Sequence, residues 1–131
     1  MIVVDTSAWG AFFNGDASPI TDRLAAALET GEPIATVPII VTETLQGFTS
    51  DAGFRSALTL LSRLPVLEPS FDTHVRAARL YRSLRRKGVT IRGTIDCLIA
   101  AVCIDTNAAL LTLDRDFERI AEHSALELVR F

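Results

Sequence analysis

The first seven residues constrain the fold more than any other stretch of the chain. They consist of a short apolar segment rich in β-branched residues, Met1–Val4, followed by Asp5 and two hydroxyl residues, Thr6 and Ser7. A segment of this kind predicts a buried β-strand. The helix-like residues that follow place Asp5 at the carboxyl end of that strand, which is the edge where open α/β sheets bind ligands. We therefore expect Asp5 to face a functional site.

Short apolar segments alternate with helical segments along the rest of the chain, and this alternation predicts the α/β class with a mostly parallel sheet. The predicted strands are Ile2–Val4, Ile34–Val37, Pro65–Glu68, Ala109–Leu113 and Leu126–Val129. The predicted helices are 6–14, 19–30, 38–48, 51–64, 70–87, 94–105 and 115–121. No linker, repeat or low-complexity tract interrupts the pattern, so residues 1–131 are expected to form a single domain.

The composition is that of an ordinary globular protein, with 49% apolar and 22% charged residues. No apolar run approaches the roughly 18 residues that a membrane span needs, and the first residues lack the basic start of a signal peptide. We expect a cytoplasmic protein with no membrane association. Cys97 and Cys103 lie in one apolar helical segment and are expected to be buried free thiols.

The basic residues are concentrated in one segment, although the net charge of the chain is −3. Seven of the thirteen lie between Arg76 and Arg92. Their helical spacing is typical of a solvated helix face, and it is equally compatible with a surface that binds phosphate groups. Under the second interpretation Arg85, Arg86 and Arg92 are the candidate phosphate contacts, with Arg92 nearest in sequence to the acidic residues described next.

Four carboxylates follow a common topological pattern, and a fifth lies close to one of them in sequence. Asp5 and Asp114 each end a predicted strand and precede a helix, Asp96 lies in the first turn of an apolar helix, and Glu43 lies inside the third helix. Asp116 follows two residues after Asp114. Carboxylates gathered at one sheet edge repel one another unless a cation lies among them, and Mg²⁺ and Mn²⁺ prefer oxygen ligands. The chemistry that suits such a site is metal-assisted phosphodiester hydrolysis.

The same acids have a simpler explanation. Asp5, Asp96 and Asp114 all lie at or near helix N-termini, where aspartate caps the helix and complements its dipole. Glu43 alone suits a solvated helix position. The spacing of the residues by itself leaves a metal site and a set of helix caps both open.

The order of the motifs resembles the PIN-domain family and, more closely, the VapC toxins of bacterial toxin–antitoxin pairs. The motifs that carry the resemblance are Val3–Ala8, Val41–Glu43, Thr94–Ala101 and Leu111–Phe117, and they span essentially the whole chain. The resemblance implies a single PIN domain over residues 1–131, built as a three-layer α/β/α sandwich on a mostly parallel sheet.

The resemblance also implies a function. It points to a Mg²⁺- or Mn²⁺-dependent endoribonuclease that hydrolyses RNA phosphodiester bonds, is inhibited by a small VapB-like antitoxin and forms a homodimer. The acidic quartet that it implies is Asp5, Glu43, Asp96 and Asp114. Asp116 competes with Asp114 for the fourth position, and Thr6 or Ser7 would hold a carboxylate or a water.

Two alternatives stay open at the level of the sequence. A receiver-like phosphate-site domain is also α/β with acids at strand ends, but it needs a lysine near the acceptor aspartate. The only lysine here is Lys87, at a basic helix end. A catalytically inactive PIN fold that only binds a partner is disfavoured by the retention of all four acids. The aromatic residues Trp9, Phe12 and Phe13 are interpreted as core, or in part as an antitoxin-binding surface.

Overall fold

A four-stranded parallel sheet and seven α-helices make up the computed structural model, which describes residues 1–131. The strands are β1 (Ile2–Val4), β2 (Ile34–Ala35), β3 (Ala109–Leu111) and β4 (Glu127–Leu128). The helices are α1 (Thr6–Phe13), α2 (Pro19–Thr30), α3 (Pro38–Leu45), α4 (Asp51–Leu61), α5 (Phe71–Arg86), α6 (Thr94–Thr106) and α7 (Arg115–Glu122).

The strand order β2-β1-β3-β4 determines where the site lies. The chain moves from β1 outwards to β2 and then crosses back to β3 on the other side of β1. Because parallel crossovers are right-handed, connections that run in opposite directions cover opposite faces of the sheet. The result is the predicted three-layer α/β/α sandwich, with a crevice at the carboxyl ends of β1 and β3, where the direction of winding reverses.

The apolar core fills the space between the sheet and the helices. Its largest fully buried side chains are Trp9 of α1 and Phe117 of α7. The interpretation of Trp9 as a core residue is confirmed, while Phe12 and Phe13 are only partly buried against the core. Burial of this apolar surface is the main term that stabilises the fold.

The expected strand Pro65–Glu68 is not a strand in the structure. Only one residue of it pairs, through an isolated parallel bridge between Thr36 and Val66. The partner strand cannot continue, because Pro38 opens α3 two residues later and has no N–H to extend a ladder. For the same reason β2 is limited to Ile34–Ala35, whereas the expected strand reached Val37.

Two smaller expectations concern the helices. Cys97 and Cys103 are both buried free thiols in α6, as predicted, and burial raises the pKa of the Cys97 thiol to about 11. The longest helix, α5, has 16 residues and is rich in arginine. None of the seven helices could span a membrane.

Candidate metal centre

The side chain of Asp5 lies in the crevice between β1 and β3. It is 6% exposed, and its backbone N–H donates to the carbonyl of Leu111 at 2.9 Å, which joins the end of β1 to the end of β3. Asp5 also caps α1, accepting a long bond from the N–H of Ser7 at 3.4 Å. Asp5 therefore caps a helix and also lies at the carboxyl edge of the sheet, as the sequence predicted.

Three hydrogen bonds hold the Asp5 carboxylate, and all of them reach Oδ2. The Ser7 hydroxyl donates at 2.7 Å, the Thr112 hydroxyl at 2.9 Å, and the Ser7 N–H at 3.4 Å. Hydrogen bonds of this kind fix the orientation of the carboxylate. They leave Oδ1 as the oxygen available to a ligand.

Thr112 is a member of the site that the sequence did not identify. Besides its bond to Asp5, its Oγ1 accepts the backbone N–H of Asp114 at 2.9 Å and lies 3.3 Å from the Ser7 hydroxyl. Thr112 is the first residue after β3. Because Val4 of β1 pairs with Leu111 of β3, the residues that follow them, Asp5 and Thr112, lie opposite each other. This register could have identified Thr112 as a member of the site, but the sequence alone does not reveal that β1 pairs with β3.

Three more carboxylates form a compact group of their own, to which neither Asp5 nor Glu43 belongs. One oxygen each of Asp96, Asp114 and Asp116 can be chosen so that all three lie within 4.8 Å of one another. Asp114 caps α7 by accepting the N–H of Asp116 at 2.9 Å. Asp96 is the third residue of α6, and the N-cap position is occupied by Gly93, so capping does not account for Asp96.

Electrostatic coupling links Asp96 to the remaining acids. Burial, followed by the charges of the neighbouring carboxylates, raises the pKa of Asp96 to about 6. The contributing carboxylates are those of Asp114, Asp5, Asp116 and Glu43, in that order. The other four acids that the sequence singled out therefore all act on Asp96, and its negative charge is costly in the absence of a cation.

Glu43 approaches this group from α3. Its Oε1 accepts the hydroxyl of Thr6 at 3.3 Å. Burial and the charge of Asp5 raise the pKa of Glu43, and the bond from Thr6 opposes that rise. The two hydroxyl residues after Asp5 thus have different contacts: Ser7 holds Asp5, and Thr6 holds Glu43.

Arginines border the acidic cluster on one side. Arg92 Nε lies 3.3 Å from Asp116 Oδ2 and its guanidinium 3.8 Å from Asp114 Oδ1, while Arg119, which the sequence did not single out, lies 3.7 Å from Asp116. The side chain of Arg92 is 82% exposed. Arg85 and Arg86, in the last turn of α5, are exposed and form no ion pair with the cluster.

The donor set suits a hard divalent cation. Every candidate ligand atom is a carboxylate oxygen, and no histidine or thiolate lies in the cluster. The five carboxylates outnumber the two arginines, which pair only with Asp114 and Asp116, so the site carries an excess of negative charge. Mg²⁺ and Mn²⁺ bind to sites of this composition and usually keep several waters.

Comparison with known proteins agrees with the geometry. The PIN domain family matches residues 2–123, and the chain therefore belongs to the PIN domain family. Two relatives, each 35% identical over 133 residues, are Ribonuclease VapC11 of Mycobacterium tuberculosis and a VapC ribonuclease of Mycobacterium bovis. In both cases the alignment covers 100% of this chain and 99% of the relative.

Solved structures show the same fold. VapBC2 of Rickettsia felis, solved bound to a DNA fragment from its promoter, superposes with a TM-score of 0.77 at 26% identity and covers 100% of this chain and 99% of that chain. The DNA-bound VapBC of Salmonella typhimurium gives a TM-score of 0.73 at 21% identity, covering 98% of this chain and 96% of that chain. At that lower identity the likeness supports the fold alone.

Proposed function

We propose that this chain is a Mg²⁺- or Mn²⁺-dependent endoribonuclease and the toxin of a toxin–antitoxin pair. The observation that carries the proposal is the convergence of the acidic side chains at the carboxyl ends of β1 and β3. The full-length relatives named as VapC ribonucleases support the same conclusion. A receiver-like site is disfavoured, because Lys87 contacts the backbone of His123 at 3.4 Å and none of the acids.

The carboxylates divide into two roles in this proposal. Asp5, Asp96 and Asp114 would hold the cation, with Asp116 as a further oxygen donor beside them. A bound Mg²⁺ or Mn²⁺ supplies Lewis acidity toward the phosphate and lowers the pKa of a coordinated water. Glu43, whose pKa is raised, is suited to accept a proton from the attacking water, because a base works best when its pKa approaches the working pH.

The chain's own hydroxyl groups and arginines prepare this site. Ser7 and Thr112 orient Asp5 through Oδ2, and Thr6 orients Glu43. Arg92, exposed and anchored on Asp116, can exchange its carboxylate partner for an RNA phosphate at the edge of the cluster. Arg85 and Arg86 would contribute to binding of the RNA backbone from the end of α5.

The proposed partners follow from the relatives. The structural neighbours include VapBC toxin–antitoxin complexes, and we propose a small VapB-like antitoxin and a homodimer for this chain as well. The cytoplasm, where RNA is available, is the proposed location. A non-catalytic binding module would not require so many mutually repelling carboxylates in one crevice.

Expression in bacterial cells tests the activity directly. We expect expression of the wild type to arrest growth and to generate new RNA 5′ ends at a restricted set of sites, and Asp5→Asn to generate none. Asp105→Asn is the matched control, because Asp105 lies at the other end of α6 and pairs with Arg76 at 2.6 Å. The same new ends in cells that express Asp5→Asn would contradict the proposal.

Cation binding is expected to depend on pH through Asp96. Because the pKa of Asp96 is about 6, a proton competes with the cation below that pH, and the affinity for Mn²⁺ should fall by up to about tenfold per pH unit. Calorimetric titration between pH 5 and 7.5, values chosen to bracket the pKa, measures this. The slope should flatten in Asp96→Asn, and a wild-type affinity that does not change across this range would contradict the assignment.

The arginines at the end of α5 are expected to act through charge. The double variant Arg85→Glu with Arg86→Glu should weaken RNA binding and reduce the slope of log affinity against log salt by about 0.7 per lost phosphate contact, the value for single strands. Fluorescence anisotropy with single-stranded RNA at several salt concentrations measures both quantities. If neither changes, the end of α5 is an ordinary solvated helix face.

A further inference from the structure

A second concave site lies directly beside the acidic crevice. It is a cleft of about 190 Å³ between α1 and the C-terminal end of α3. Thr6 and Glu43, which belong to the acidic site, form one end of it, and we call it the α1–α3 cleft. The side chains of Phe13, Asn14, Thr44 and Phe48 also line it.

Aromatic rings form the apolar wall of the α1–α3 cleft. The rings of Phe13 and Phe48 meet edge to face with centroids 5.5 Å apart, and both side chains are only partly buried. Behind them the buried indole of Trp9 stacks on Phe13 at 5.5 Å with an interplanar angle of 19°. The wall is therefore rigidly supported from the core while its outer rings remain open to a flat ligand.

One polar group in the wall has no partner. The Oγ1 atom of Thr44 is buried without any hydrogen bond, and the residue is 6% exposed. Other helical threonines of this chain satisfy their hydroxyls on the carbonyl four residues earlier, as Thr30 does at 2.8 Å and Thr59 at 2.9 Å. A buried hydroxyl without a partner costs free energy, and a polar ligand in the cleft could supply the missing bond after a rotation of the Thr44 side chain.

We propose that the α1–α3 cleft binds one unpaired nucleobase of the RNA, next to the phosphodiester that the acidic site cleaves. Proteins recognise single-stranded RNA by stacking unpaired bases on aromatic rings and by bonding to the base edges. No lysine or arginine lines the cleft, so it suits a neutral base rather than a phosphate. Asn14, Glu43 and Thr44 offer donors and acceptors to the edge of the base.

The proposal deepens the proposed function and rests on it, because it assigns a position in the substrate. The base is placed next to the cleaved phosphodiester because the two sites share residues. Glu43 and Thr6 line the cleft and also hydrogen-bond to each other beside Asp5. A base in the cleft would place its own phosphate close to the acids. Cleavage would then require a flexible, unpaired nucleotide at the cut site.

Nuclear magnetic resonance can test the cleft without metal and without turnover. We would titrate the isotope-labelled protein with each of the four 5′-ribonucleoside monophosphates, and with ribose 5-phosphate as the base-free control. The reporters are the Thr44 methyl group, the Asn14 side-chain amide and the backbone amide of Gly47, which also lines the cleft. Their signals should shift with at least one nucleotide and not with ribose 5-phosphate.

Substitutions separate stacking from simple packing. Phe48→Leu should weaken nucleotide binding about 5- to 150-fold, the range expected for loss of one stacked ring, and Phe48→Tyr should restore it. Thr44→Val should weaken binding about 2- to 10-fold while raising the melting temperature, because it removes an unpaired buried hydroxyl. Phe54→Leu and Thr59→Val, on α4 outside the cleft, are the matched controls.

Three outcomes would overturn the proposal. One is an equal response to ribose 5-phosphate, which would indicate phosphate binding, and another is no base-dependent shift at all. The third is an equal or stronger response to N-acetylphenylalaninamide, which would indicate a pocket for a protein side chain such as one from an antitoxin. Because the titration needs no cleavage, these results are distinguishable from a failure of the nuclease assay.

Discussion

Asp96→Asn is expected to abolish RNA cleavage and, at the same time, to make the metal-free protein more stable at neutral pH. Asp96 lies among Asp5, Asp114 and Asp116 with its pKa raised to about 6, so its negative charge opposes folding when no cation is bound. Asparagine has nearly the same shape and no charge. Removal of a proposed cation ligand should lower cleavage at least about 100-fold, since loss of a group that merely orients a ligand costs up to about that factor.

The sign of the stability effect follows from the raised pKa. Between the ordinary value of 3.8 and about 6 the native protein binds a proton that the unfolded chain does not, so the contribution of Asp96 to stability falls as the pH rises through this interval. The full shift corresponds to about 3 kcal/mol, and partial solvent exposure reduces it to about 1–2 kcal/mol. Asp96→Asn should therefore gain about 1–2 kcal/mol at pH 7.5 and much less at pH 4.5.

Chemical denaturation in EDTA at both pH values measures the effect. Asp105→Asn is the matched control in the same helix, because it loses an ion pair with Arg76 and has no raised pKa to relieve. A metal-free Asp96→Asn protein that is less stable than the wild type at pH 7.5 would contradict the electrostatic account of the cluster.

Thr112→Val is expected to be the most damaging substitution outside the carboxylates. The valine keeps the volume but removes the hydroxyl that donates to Asp5 at 2.9 Å and accepts the N–H of Asp114 at 2.9 Å. Hydrogen bonds to charged groups contribute about 1.5–3 kcal/mol, and the buried carboxylate would lose one of its two hydroxyl donors. We expect a loss of about 2–4 kcal/mol in the free energy of unfolding and a 10- to 100-fold drop in cleavage.

Thr112→Ser is the control that isolates the hydroxyl. Serine loses a buried methyl group but can make the same two hydrogen bonds, so it should retain most of the activity. Cleavage rates and denaturation midpoints of both variants make the comparison. If Thr112→Val cleaved RNA as fast as the wild type, the positioning of Asp5 by Thr112 would be refuted.

The sequence predicted the framework of the site because its signals are local. Asp5 and Asp114 each follow an apolar strand directly, and Asp96 interrupts an apolar helix, so short windows of sequence reveal them. The parallel α/β class followed from the alternation of strands and helices in the same way. The prediction of a strand at Pro65–Glu68 was wrong, because a local apolar segment does not reveal whether the adjacent strand, here β2, can continue the hydrogen-bond ladder.

The remaining features depend on contacts between distant parts of the chain. Thr112 lies 107 residues from Asp5, and only the register of β3 beside β1 brings them together. Arg119 reaches Asp116 one turn of α7 away and also bonds the carbonyl of Thr90 at 2.9 Å. Neither residue type nor spacing distinguishes these two residues from the other threonines and arginines of the chain.

The proposed mechanism requires a divalent cation, held by these carboxylates, for cleavage of RNA. The most direct measurement is cleavage of total bacterial RNA by the purified protein in Mg²⁺ or Mn²⁺, in EDTA, and after the cation is restored in excess over EDTA, with Asp5→Asn in parallel. We expect cleavage with the cation, none in EDTA, recovery when the cation is restored, and none by Asp5→Asn under any condition. Undiminished, EDTA-resistant cleavage by the Asp5→Asn protein would contradict it.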